Sequence, residues 1–277
     1  MTTLAATSTV ALPAPAGTRG RVTFAGVLRS EWIKIRSLRS TVWSLSIAVV
    51  LMVGVTALVA WSFEGEPGNV ADLVTPGGYF AQLTLAVLGV LVITGEYSTG
   101  MIRSTLTAVP RRTPALVAKA LVLGVVALVT GVVGVGLSVL AAMPWYDRLG
   151  ITLDLGDPQT LRMLVGMPLY LTGIALLGFA AGALLRSSAG ALAVVLGTLL
   201  VIEQVVGAIP LTVFKTIAPV LPGSAGSRLL MTDETIATMN LTMEGPDLSA
   251  WQGYGVMLGW VAVLLVLAAA LLRRRDA

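Results

Sequence analysis

The chain contains no histidine and no cysteine. Their absence excludes disulfides, thiolate and imidazole metal centres, cysteine nucleophiles and every serine–histidine catalytic arrangement. It also excludes haem held by histidine and the zinc-protease helix with its two histidines. Charge is scarce too. Only 12% of the 277 residues are Asp, Glu, Lys or Arg, against about a quarter in ordinary soluble domains. Hydrophobic residues make up 56%, and the mean hydropathy is +0.90. So little charge cannot cover a water-facing surface, so the composition is that of a membrane protein. No stretch alternates apolar and polar residues as a transmembrane barrel strand would, which leaves an all-α membrane protein.

Six apolar stretches approach or exceed the roughly 17–25 residues that cross a bilayer as a helix. They lie at 42–62, 78–94, 117–141, 163–185, 189–209 and 254–272. Residues 1–23, rich in Thr, Ala and Pro, read as a disordered leader and not as a signal peptide. Residues 24–277 then form a single transmembrane domain. With the N-terminus inside, the inner segments carry 14 of the 18 basic residues and the outer loops only Arg148, Arg162, Lys215 and Arg228. Basic residues flank membrane spans on the cytoplasmic side, so both termini are expected to be cytoplasmic.

Before the first span, Phe24, Leu28, Trp32 and Ile35 recur at helical spacing among Arg29, Lys34, Arg36 and Arg39. The pattern fits an amphipathic helix at the membrane surface, its cations facing anionic lipid. A plain basic flank that sets topology is the simpler alternative. The second inner segment runs from Gly95 to Arg112. Here Ser98 or Thr99 is expected to cap a short helix that Pro110 ends, with Ile102, Leu106 and Val109 on one face. Such a helix suits docking to a soluble partner, and a solvated loop is the bland alternative.

Glu96-Tyr97, then Gly100-Met101-Ile102-Arg103, Leu106 and Pro110-Arg111-Arg112 resemble the first cytoplasmic loop of permease subunits of type-2 ATP-binding-cassette exporters. The basic segment Ser30-Glu31-Trp32-Ile33-Lys34, the six spans and the ending Arg273-Arg274-Arg275-Asp276-Ala277 fit the same family. The excess of 15 Arg over 3 Lys looks like an actinobacterial protein. The resemblance implies a permease of the bacterial cell membrane whose coupling helix sits in a cleft of a separate ATPase subunit. It places that contact on Glu96, Tyr97, Gly100, Ile102 and Arg103, with Arg111 and Arg112 as accessories. The turn Arg186-Ser187-Ser188 is a second, weaker contact. Glu96 and Arg103 paired locally on the surface is the alternative for those two residues.

The chain has no phosphate-binding Gly-x-x-x-x-Gly-Lys-Ser/Thr loop. ATP and magnesium therefore belong to the partner, and this chain is expected to be neither an enzyme nor a metal binder. The family pattern implies two permeases with two ATPases, as a homodimer or with a sister permease. Membrane lipids are the other partner, and nucleic acid is not expected.

Glu203 is the one acidic side chain inside a predicted span, about four residues or 6 Å beyond its middle. An ionisable group at such depth points to a pathway residue or to packing beside Gln204. It also carries the alternative function, an ion-gradient-driven carrier with Glu203 as its proton site. Lys119 lies close enough to the inner boundary to reach the headgroups and is assigned no role. Gly178-x-x-x-Gly182 and Gly255-x-x-x-Gly259 are candidate helix contacts. The segment 210–253, broken by Pro210, Pro219 and Pro222, is expected to form short helices that shape an outer exit, as in the exporters it resembles, or a disordered loop.

Overall fold

A computed structural model describes residues 23–62, 70–101, 112–243 and 245–274. Among the described residues the chain is helical, without strands. Helix α1 (Phe24–Ser37) opens on Thr23, whose hydroxyl accepts a hydrogen bond from the Gly26 amide at 3.2 Å. Six helices are long and apolar enough to cross a membrane. They are α2 (Arg39–Ser62), α3 (Val70–Ser98), α4 (Arg112–Ala142), α5 (Pro158–Leu185), α6 (Ser188–Ala208) and α10 (Ala250–Arg274). Their number and composition make the chain a multi-pass membrane protein. Between α6 and α10 lie three short helices, α7 (Thr212–Ile217), α8 (Pro222–Ser227) and α9 (Asp233–Thr242).

Helix α3 starts at Val70, eight residues before the expected 78, and runs through Pro76 without a break. The sequence Pro76-Gly77-Gly78 reads as a stop. Here, however, proline costs one backbone bond, and the glycines let the first turns press against their neighbours. A Cβ on Gly77 would stand 2.3 Å from the Met52 carbonyl oxygen of α2. Helix α4 likewise begins before the expected 117, and α5 before 163. Asp157 caps α5, accepting from the amides of Gln159 (3.2 Å) and Thr160 (2.9 Å), with Pro158 in the first turn.

Helices α3 and α5 form the centre of the bundle: 61% and 72% of their apolar windows are buried, against 17% for α2 and 22% for both α6 and α10. They touch backbone to backbone. A Cβ on Gly89 would lie 2.0 Å from the Ala175 carbonyl oxygen, and one on Gly178 would lie 2.4 Å from that of Ala86. The Gly178/Gly182 pair is thus a helix contact within the chain. A Cβ on Gly255 or Gly259 would meet nothing within 4 Å among the described residues, so that pair packs against no described helix of this chain. Large apolar side chains on α2 and α10, Trp43, Val50 and Val266 among them, are exposed, as a lipid-facing surface requires.

The segment 210–253 is folded wherever it is described, so the disordered alternative does not hold. Helix α8 packs on α10, and Leu229 and Leu230 are buried. Arg228 is fully buried and donates to Asn240 Oδ1 (2.8 Å) and to the Leu248 carbonyl (2.7 Å), drawing α9 and the start of α10 together. Its Nε and Nη2 find no acceptor among the described residues.

Candidate functional sites at the two ends of the bundle

The face that α1 turns to the bundle is Val27, Glu31 and Ile35, all buried. Of the four apolar residues at helical spacing, Leu28 and Ile35 pack on the core, while Phe24 and Trp32 are exposed. One member of the buried stripe is a carboxylate. Burying Glu31 in an apolar setting would be costly without partners, and two lysines supply them. Lys34 donates to Glu31 Oε1 at 2.8 Å, and Lys119, from the first turns of α4, donates to Glu31 Oε2. Both lysines also reach Glu96 Oε1, at 3.0 Å and 2.8 Å. Among the described residues, two carboxylates and two ammonium groups thus join α1, α3 and α4 in one cluster.

This arrangement corrects two expectations. Lys119 is buried in an ion-pair network instead of reaching for headgroups. Glu96 lies in the last turn of α3, not in a loop, and its cations are Lys34 and Lys119. Its Oε2 is buried without a partner among the described residues. A cavity of about 450 Å³ adjoins the cluster, with Ile35, Leu38, Leu91 and Val92 in its walls.

Burial acts to lower the Lys34 pKa, but hydrogen bonds and attraction from Glu31 and Glu96 outweigh it and raise the value above its ordinary 10.5. A raised ammonium pKa contributes stability below the unfolded value, and that stability is lost as pH rises through the folded value. Melting temperature is therefore expected to fall above about pH 10.5 in the wild type, and less steeply in Lys34→Met, in a thermal scan across pH 8–12. Equal slopes would remove Lys34 from the cluster's energetics.

Around the cluster, the end of α3 is shaped by its own side chains. Thr99 Oγ1 and Ser98 Oγ both donate to the Gly95 carbonyl, at 2.8 Å and 3.1 Å, closing α3. Gly100 follows with φ +70°, a left-handed conformation that lets the chain leave the helix axis. Tyr97 stacks under the Arg186 guanidinium, 5.4 Å from the ring centroid, and Arg186 itself adopts φ 54° in the turn between α5 and α6. Ser188 donates to Thr94 Oγ1 at 2.8 Å. The expected primary and secondary contacts, Glu96–Gly100 and Arg186–Ser188, are therefore neighbours at one end of the bundle. Ile102, Arg103, Arg111 and the rest of the expected coupling helix lie outside the described residues. Arg112 opens α4.

Glu203 belongs to a second site near the other end. Gln82, in its wall, is 14 residues before Glu96 on α3, about 21 Å along the helix axis. Glu203 is 8% exposed. Its Oε1 accepts from the Gly223 amide at 2.7 Å and its Oε2 from Ser224 Oγ at 2.9 Å. A π-helical turn, Thr198–Ile202, immediately precedes it. This wider turn inserts a residue into the helical register. Leu199 and Glu203 face inward while Leu200, Val201 and Ile202 are exposed. The side chain borders a cavity of about 230 Å³ that also meets Tyr79, Gln82 and Tyr170.

The sequence places Glu31 and Lys34 together in the basic segment before the first span, but nothing in it pairs them with Glu96 or Lys119. One signal was available: Glu31 is the only acidic residue in a basic segment and shares the i, i+4 stripe of Val27 and Ile35. Among the described residues no group of three or more acidic residues could hold a metal ion. A scan against protein-family models and a search of curated proteins gave no match to this chain.

Proposed function

We propose that this chain is the membrane-spanning permease subunit of an ATP-driven transporter, of the type-2 exporter kind its loop motif resembles. The observation that carries this reading is the convergence at one end of the bundle. Glu96, Tyr97 and Gly100 stand at the exit of α3 beside the Arg186 turn, and the buried charge cluster ties that exit to α1 and α4. A segment leaving a central helix at a braced point can pass a push from a soluble partner into the bundle.

In this reading the end carrying α1 faces the cytoplasm, α1 lies at the membrane surface with Trp32 outward, and a separate ATPase engages residues 100–112. Its ATP binding drives the bundle from inward- to outward-facing. A second permease, identical or sister, completes the assembly in a bacterial cell membrane. A second reading, an ion-gradient carrier, has the buried Glu203 in its favour.

Purification from its native membrane in mild detergent tests the first reading. A stoichiometric ATPase is expected to accompany the chain, with retention falling at least tenfold in Arg103→Glu while membrane insertion stays normal. A solitary chain, even after cross-linking in the membrane, would overturn it in favour of the carrier.

A further inference from the structure

The cavity beside Glu203 has the chemistry of a cation site, and among the described residues no basic side chain lines it. Both carboxylate oxygens are held by neutral donors, the Gly223 amide and the Ser224 hydroxyl. Among the described residues Glu203 makes no ion pair. The basic side chain nearest in sequence to the cavity wall, Arg228 after Ser227, directs its Nη1 to Asn240 and the Leu248 carbonyl. A carboxylate buried at membrane depth is costly unless something positive meets it.

The other walls suit an organic cation better than a bare metal ion. Tyr79 and Tyr170 form an edge-to-face pair, centroids 6.4 Å apart with an interplanar angle of 79°, and both line the cavity. The Tyr170 hydroxyl is committed to Gln82 Oε1 at 2.5 Å, which fixes its ring. Aromatic faces attract ammonium groups through their quadrupole, most strongly where water is excluded. Met231 and Met239 add soft, polarisable side chains to the lining. Three of the oxygens a hard metal ion would look to, the two of Glu203 and Oε1 of Gln82, already accept hydrogen bonds. The volume of about 230 Å³ accepts a head group of a few carbons.

The carboxylate is also aimed with care. The π turn Thr198–Ile202 sets its direction, and there is no slack behind it: a Cβ on Gly223 would meet Glu203 Oε2 at 2.5 Å.

We propose that this cavity binds the ammonium group of an organic cation, the substrate class of the transporter, with Glu203 as counter-charge and the tyrosine pair as its aromatic wall. The proposal rests on the transport reading for its biological meaning, but binding itself requires neither ATP nor a partner.

The test uses the full-length chain, with any subunit it retains, in lipid nanodiscs without ATP. Tetramethylammonium chloride is titrated by calorimetry against a sodium chloride background of equal ionic strength. Saturable binding is expected, weakened at least tenfold in Glu203→Gln and several-fold in Tyr79→Leu, with melting temperatures of both variants checked against wild type. Absence of saturable binding, equal binding by a folded Glu203→Gln, or displacement by equimolar sodium would each overturn the site. Should a preparation that keeps its ATPase bind no tetramethylammonium, the cation site fails and the transport reading stands. Should a solitary chain bind it, the ATP-driven reading fails and the site stands.

Discussion

Lys119→Met is expected to destabilise the protein by about 3–5 kcal/mol, the cost of leaving buried charge without its partner. Lys119 is the best-buried cation of the cluster, 5% exposed in its side chain, and the only lysine of the two that lies in the bundle proper. Its removal leaves Glu31 and Glu96, both buried, to share the half-exposed Lys34. The measurement is thermal or denaturant unfolding in detergent. A double-mutant cycle sharpens it: Glu96→Gln should recover much of the loss, because Glu31 and Lys34 then remain as a matched pair. If Lys119→Met melts within a degree of wild type and Glu96→Gln adds its own independent cost, the four groups do not act as one network.

A bulky residue at Gly89 should have an effect of similar size from a different cause. Its missing Cβ is replaced by the Ala175 carbonyl oxygen, which a Cβ would approach to 2.0 Å. That oxygen is helix backbone and cannot rotate aside, so Gly89→Val must push α3 away from α5. Overpacking of a tight core costs about 1–3 kcal/mol, sometimes more. Here the shift also opens the Gly178–Ala86 contact, three residues away on each helix and so less than one turn along the pair. Gly259→Val, on open surface, is the control and should leave unfolding unchanged. Equal melting of the two variants would show that α3 and α5 are not held by backbone contact.

The contrast between these glycines marks how far the sequence could be read. Gly178-x-x-x-Gly182 and Gly255-x-x-x-Gly259 are identical motifs, yet only the first meets a neighbour, because a spacing names a helix face and not what lies opposite. The six spans were legible from apolar run length, since each run must satisfy its backbone within one helix. Their starts were less so: Pro76-Gly77-Gly78 carries the local chemistry of a break, and tertiary contact with Met52 overrides it. At the α1 end, Glu96, Tyr97 and Gly100 stood out through a motif, while their electrostatic partners did not. Glu31 and Lys119 are 88 residues apart, and each taken alone looks like an ordinary charge at a membrane boundary. At the other end Glu203 was conspicuous by depth. The Gly223–Ser224 cradle and the π turn left no signal, because both arise from how α8 and α6 meet.

The charge cluster also imposes an order on biosynthesis. Glu31 and Lys34 emerge early, as a pair that satisfies only part of its own hydrogen-bonding capacity. Glu96 follows, then Lys119, the last of the four to be made and the one that balances the set. Between the synthesis of Glu96 and that of Lys119, these groups stand as two carboxylates against one ammonium, a combination ill suited to docking α1 against apolar helices. On this charge balance, α1 is expected to dock only once α4 has been made.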